Sequence, residues 1–208
     1  MHVLSQIKEQ KVIAIIRGYN PEEAVSIAGA LKAGGIRLVE ITLNSPQAIK
    51  AIEAVSEDVG DEMLIGAGTV LDPESARAAL LAGARFILSP TVHEETIKLT
   101  KRYGAISIPG AFTPTEILTA YESGGDIIKV FPGTMGPGYI KDIHGPLPHI
   151  PLLPTGGVGL ENLHEFLQAG AVGAGIGGSL VRAHQDVNDE FLEELSKNAK
   201  QFVEAAKQ

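Results

Sequence analysis

The chain has 208 residues, 44% of them hydrophobic, and a formal net charge of −8. That length suffices for one substantial core, and an acidic balance without a run of Lys or Arg argues against nucleic acid as a partner. Cysteine is absent, which removes disulfides, thiolate metal sites and a thiol nucleophile, and no segment reads as a membrane span. An anionic small molecule is still compatible with this charge, because a few local donors can hold it against the global field. The opening segment, Met1 to Lys8, lacks the long apolar stretch of a signal peptide, so the expected compartment is the cytoplasm.

In chain order, short apolar runs rich in β-branched residues alternate with helix-like segments. They predict eight strands, over residues 12–17, 38–43, 64–67, 86–89, 107–109, 127–130, 151–154 and 173–176. The runs are nearly continuous in apolar residues, as strands covered on both faces require. Helix starts are marked by Asn20-Pro21-Glu22-Glu23, Asp72-Pro73-Glu74-Ser75 and Thr113-Pro114-Thr115-Glu116, each a cap residue, a proline and then an acid near the positive end of the helix dipole. Ser45-Pro46 reads as a fourth start. Gly34-Gly35, Gly83, Gly124-Gly125 and Gly170 each precede a strand and supply helix C-caps. Eight βα units in a single domain spanning residues 1–208 predict an α/β fold of the (β/α)₈ TIM barrel class.

In such a barrel the reactive groups sit at the C-terminal ends of the strands. Those ends carry Arg17, Glu40 with Thr42 and Asn44, Thr69, Ser89-Pro90, Pro109-Gly110, Lys129 with Phe131, Thr155-Gly156-Gly157, and Gly177-Gly178-Ser179. Lys129 stands alone in the apolar run Asp126-Ile127-Ile128-Lys129-Val130-Phe131. Burial disfavours the charged form of an amine, and an uncharged amine is the nucleophile that forms Schiff bases with ketones. The plainer alternative is a packed stem whose amine reaches water. Alternation along β structure places Glu40 and Thr42 on the barrel interior, opposite Val39, Ile41 and Leu43. Glu40 is then either a general acid/base beside the amine or half of a structural ion pair with it. The glycine turns after the seventh and eighth strands suit phosphate, with Ser179 adding a hydroxyl. Gly133–Gly138 either adds donors to that pocket or forms a loop of its own. The histidines show no ligand spacing, so no metal and no cofactor are expected.

The segments Gly35-Ile36-Arg37-Leu38-Val39-Glu40-Ile41-Thr42-Leu43, Gly66-Ala67-Gly68-Thr69-Val70, Ser89-Pro90, Ile128-Lys129-Val130-Phe131-Pro132 and Pro154-Thr155-Gly156-Gly157 follow one another in a distinctive order. Together they resemble the bacterial 2-keto-3-deoxy-6-phosphogluconate (KDPG) aldolase family, which also covers 4-hydroxy-2-oxoglutarate (KHG) and 6-phosphogalactonate aldolases. The resemblance implies a homotrimer of barrels and a metal-free, class I cleavage that yields pyruvate and an aldehyde. It makes Lys129 the Schiff-base lysine and Glu40 an acid/base working through water. Thr69, Pro90 and Phe131 would line the pyruvyl pocket, and Gly156, Gly157 and Ser179 would take the phosphate. Thr155, Gly177 and Gly178 complete the expected substrate-binding set.

Enteric phosphogluconate enzymes resemble Val-Thr-Leu-Arg-Thr after the catalytic glutamate, and that arginine holds the substrate carboxylate. This chain has Asn44 there and offers Arg17 instead. Leu43-Asn44-Ser45-Pro46-Gln47 and Gly136-Pro137-Gly138-Tyr139-Ile140-Lys141 look more like the phosphogalactonate branch, whereas Thr42 matches the phosphogluconate pattern. The expected substrate is KDPG, with 4-hydroxy-2-oxoglutarate beside it and the galactonate epimer as the alternative. A phosphosugar isomerase and a non-catalytic sugar-phosphate-binding barrel are the more distant readings.

Overall fold

The structure, a computed structural model, describes residues 3–207. Met1 and His2, at the head of the segment read for a signal peptide, lie outside it. The first elements are α1 (Val3–Gln10), β1 (Val12–Ile16), α2 (Pro21–Ala33), β2 (Leu38–Thr42), α3 (Ala48–Val59) and β3 (Leu64–Gly68). Next come α4 (Pro73–Leu81), β4 (Phe86–Leu88), α5 (Glu94–Arg102), β5 (Ile106–Ile108), β6 (Gly110–Ala111), α6 (Pro114–Glu122) and β7 (Ile128–Val130). The chain ends with a short 3₁₀ turn (Gly133–Met135), α7 (Pro137–His144), β8 (Leu152–Pro154), α8 (Leu163–Gln168), β9 (Ala174–Ile176) and α9 (Asp189–Ala205). Among the described residues no helix is long and apolar enough to cross a membrane.

All strand pairings are parallel, and they form a curled α/β layer in two sheets, β5-β4-β3-β2-β1-β9 and β6-β7-β8. The division falls at Pro109. The strand expected over 107–109 pairs with β4 as far as Ile108; on its other side proline has no N–H to give β7, and the ladder there is formed only from Gly110. Pro109 still accepts from the Lys129 N–H at 2.9 Å. At the other seam a single parallel bridge, Thr155 to Gly175, links β8 to β9.

Strand alternation divides the core in two. Val39, Ile41, Ile65, Ala67, Ile128 and Val130 face the helices, while Ile13, Leu38, Phe86, Leu88, Ile106, Ile108, Ile127 and Leu153 fill the interior. Ile7 of α1 joins the interior group and plugs the end opposite the strand C-termini. Leu38 shares its face with Glu40, which confirms the interior orientation read from alternation.

Three of the four expected helix starts are present. Asn20 and Thr113 form reciprocal capping boxes with Glu23 and Glu116, and Asp72 accepts from the Ser75 N–H at 2.6 Å. A cap of this kind is worth about 1 kcal/mol. The fourth is not a start: α3 begins at Ala48 without a side-chain cap, and Ser45 is buried, spending its hydroxyl elsewhere. The C-terminal reading holds at α2, where Gly35 (φ +95°) lets Ile36 N–H reach back to Leu31 C=O and Gly35 N–H to Lys32 C=O.

Candidate active site

The C-terminal strand ends converge on a cavity of about 500 Å³. β7 is short and covered on both faces, so Lys129 at its centre is only 4% exposed, yet the side chain lines this cavity. Its Nζ lies 5.1 Å from the centre of the Phe131 ring, an amine over an aromatic face. Arg17, Thr69, Pro90, Phe131, Thr155, Gly156, Gly157, Gly177, Gly178 and Ser179 line the same space. The structure thus gathers every expected substrate-binding residue around one lysine.

Glu40 lies beneath this wall and is fully buried in β2. β3 makes room for it: a Cβ on Gly68 would stand 2.5 Å from Glu40 Oε1. Neither carboxylate oxygen has a hydrogen-bond partner, and no ion pair within 4.0 Å joins Glu40 to Lys129 among the described residues. The purely structural pair is therefore not formed. Burial raises the Glu40 pKa above the usual carboxylate range, with the charges of Lys129 and Arg17 acting in the opposite sense. Such a carboxyl holds its proton to higher pH than an exposed one and can donate it to a nearby oxygen.

Comparison with known proteins gives the family. The family model for KDPG and KHG aldolase matches residues 3–197. The chain belongs to that family. The 2-dehydro-3-deoxy-6-phosphogalactonate aldolase of Escherichia coli is 43% identical over 196 residues, covering 93% of each chain. The KHG/KDPG aldolase of the same organism is 33% identical over 198 residues, covering 94% of this chain and 92% of its own. Among solved structures, the KDPG aldolase of Legionella pneumophila, with pyruvate captured as a covalent carbinolamine, superposes with a TM-score of 0.80. It is 32% identical and covers 98% of this chain and 95% of its own. These relatives are named aldolases, and aldolases are carbon–carbon lyases.

In this aldolase the glycine turns have a common property. Among the described residues, the N–H groups of Gly156, Gly157, Gly178 and Ser179 have no acceptor within the protein. Gly156 and Gly157 hold φ of +85° and +73°, a backbone that ordinary side chains rarely adopt. Gly177 C=O accepts from Leu180 and Val181 N–H, closing one tight turn. Ser179 Oγ donates to Val158 C=O at 2.7 Å, so its proton is already engaged. Thr155 Oγ1 is buried without a partner. Thr69 has φ +57°, unusual for a β-branched residue and the sort of strain that clusters at ligand sites.

Arg17 is exposed at the rim and has neither hydrogen-bond nor ion-pair partner among the described residues, whereas Asn44 is exposed outside the cavity. The Gly133–Gly138 segment does not line the cavity; it forms the 3₁₀ turn and opens α7, with Gly133 N–H donating to Thr155 C=O at 2.7 Å. His93 caps α5, and His184 packs over Gly18. Glu161 also lines the cavity, though residue type gave no sign of it; its carboxylate lies against Gly159, where a Cβ would meet Oε2 at 2.4 Å. Ile15, Val158, Val181 and Ala183 complete the apolar wall. Apolar side chains carry no chemical signal of their own, so only the fold could reveal them.

Proposed function

We propose that this aldolase cleaves a 2-keto-3-deoxy-6-phospho sugar acid into pyruvate and glyceraldehyde 3-phosphate through a Schiff base at Lys129. The observation that carries the reading is a buried amine opening into a cavity that ends in unpaired N–H groups, with a proton-holding carboxyl beneath. Lys129 Nζ forms a bond to C2 of the keto acid, and water leaves to give an iminium. The C3–C4 bond then breaks, its electrons entering the iminium to form an enamine, while the C4 hydroxyl loses its proton and becomes the aldehyde. The enamine takes a proton at C3, and water releases pyruvate and the free amine. Glu40 exchanges these protons with the cavity through water. Arg17, unpaired at the rim, takes the substrate carboxylate as a bidentate fork, and the four N–H groups take the phosphate. No step asks for a metal or an organic cofactor.

The chain resembles a phosphogalactonate enzyme at 43% identity and a KHG/KDPG enzyme at 33%. Together with Asn44 and the segments 43–47 and 136–141 this favours the galactonate epimer, the alternative, over the gluconate expected first. Thr42 is the match to the gluconate pattern, and 4-hydroxy-2-oxoglutarate is the unphosphorylated second substrate. We further infer that the two sheets close as one eight-strand barrel through Pro109 and the Thr155–Gly175 bridge, that the barrel is a single domain over residues 1–208, and that it works as a cytoplasmic homotrimer.

The decisive experiment is borohydride reduction in the presence of pyruvate, followed by peptide mapping. One reduced pyruvyl group on Lys129, with permanent loss of activity and indifference to chelators, is expected. An adduct on another lysine, or activity lost on chelation, overturns the mechanism and returns the isomerase reading. Turnover no higher than that of a Lys129 variant would leave a sugar-phosphate-binding barrel.

A further inference from the structure

Arg17 raises a structural question that its exposure does not answer. A guanidinium reads a carboxylate as a fork only if it arrives in one orientation, and an exposed side chain without partners is not held by its own contacts. Orientation must then come from the backbone that carries it.

That backbone is clamped on both sides. Gly18, the next residue, has φ +82°, and a Cβ there would meet the His184 ring at 2.6 Å. Tyr19 is buried, its hydroxyl donating to Arg182 C=O and accepting from Gln185 N–H. These contacts tie the segment to the loop after β9. On the opposite side stands one hydroxyl. Ser45 Oγ accepts from Gly18 N–H at 2.9 Å and lies 3.1 Å from Thr42 Oγ1. Thr42 is fully buried, two residues beyond Glu40 on the same interior face of β2. Ser45 itself is held by its own N–H, which donates to Thr42 C=O at 3.0 Å. A single side chain therefore links the β2 strand that carries the acid/base to the β1 end that carries the cation.

We propose that Ser45 is a positioning residue: through the Gly18 N–H it sets the direction from which Arg17 meets the substrate carboxylate. The proposal rests on the reading of Arg17 given above and deepens it. It accounts for why Ser45 is buried in a loop while its neighbours Asn44 and Pro46 are exposed. It also gives the Ser45-Pro46 dipeptide a purpose that helix capping does not.

The test is a double-mutant cycle on steady-state cleavage of the phosphorylated keto acid. Ser45→Ala is expected to raise KM roughly 5- to 20-fold, the scale of one buried hydrogen bond lost, with kcat within about twofold of wild type. Arg17→Ala should raise KM more, and adding Ser45→Ala to it should then cost almost nothing further. If Ser45→Ala destabilises the protein, as a melting curve would show, Ser45→Cys keeps the shape while weakening the acceptor, and the same KM-against-kcat split is read from it. An undiminished KM effect of Ser45 in the Arg17→Ala background overturns the proposal, as does an equal fall in kcat. Should Arg17→Ala raise KM while both Ser45 variants leave it unchanged, only the positioning role fails. Should Arg17→Ala itself leave KM unchanged, the carboxylate assignment fails and takes this proposal with it.

Discussion

The floor and the rim of the cavity are built in opposite ways. At the floor stands Lys129, with Glu40 buried behind it; both are carried in the bodies of strands, 4% and 0% exposed, and act through side-chain atoms. At the rim, Arg17 offers an exposed guanidinium, whereas the exposed turns at Gly157 and Ser179 offer a ligand backbone N–H groups in fixed directions. Chemistry at the floor depends on residue identity, because no other side chain supplies a nucleophilic amine in that place. Binding at the glycine turns of the rim depends on conformation, so truncating the Ser179 side chain there should matter less than adding one at Gly157.

The largest effect expected from this contrast is at Lys129. Lys129→Arg keeps a cation and a long stem but removes the nucleophile, so turnover should fall to the uncatalysed level and no pyruvyl adduct should be trapped. Intact-protein mass after borohydride treatment reads this directly. Residual cleavage well above background would show that the floor acts by charge alone.

Glu40→Gln comes next, with a fall in kcat of about 10²–10⁴-fold, the usual worth of positioned acid–base assistance. The same variant tests burial independently of activity. Because the folded carboxyl has a pKa above its ordinary 4.5, the native protein binds a proton there that the unfolded chain releases. The stability this gives is complete below the ordinary glutamate range and is lost as pH rises through the raised folded value. Glutamine has no such slope. Melting temperatures of the two proteins compared from acid to alkaline pH should diverge steadily in favour of Glu40→Gln. Parallel curves would mean that the carboxyl is not desolvated.

Gly157→Ala probes the rim from the conformational side. At φ +73° an alanine is strained by about 1–2 kcal/mol, and its Cβ would approach the Thr134 side chain to 3.1 Å. Relaxing that contact moves the N–H groups of the turn, so KM for phosphorylated substrate should rise about tenfold, one such increment of free energy, with kcat nearly unchanged. An equal loss on unphosphorylated keto acid would remove the phosphate assignment from this turn.

The difference between floor and rim is also the difference between what the chain's letters disclosed and what they hid. A lone lysine or glutamate in an apolar run has to be explained; alternation places Glu40 inside, and position at a strand's C-terminal end brings Lys129 to the mouth. Glycine pairs at strand ends were visible for the same reason. Pro109 reads as a strand's last residue, but its missing N–H makes it the seam between two sheets. Ser45 beside a proline looked like a cap, because a local cap and a long-range hydrogen bond to Gly18 use the same hydroxyl. Glu161, one acid among many, became distinctive only once the turn before it had folded back. Local signals name elements well, but contacts made across the mouth between loops far apart in sequence leave no periodic trace.

Ser179→Ala should give the smallest effect. The residue type and place suggest a phosphate ligand, and on that ground alone its loss would be serious. In the structure, however, the hydroxyl proton goes to Val158 C=O at 2.7 Å, on the neighbouring glycine turn, while the Ser179 N–H has no acceptor in the protein. Alanine keeps that N–H. What it removes is a tie between the two turns, worth about 0.5–1.5 kcal/mol at most and less for an exposed residue. KM for phosphorylated substrate should therefore rise no more than about threefold, an amount that corresponds to the lower end of that range. A rise well beyond tenfold, confined to the phosphorylated substrate, would show that the hydroxyl turns from Val158 to the ligand, and the rim would then be as dependent on side-chain chemistry as the floor.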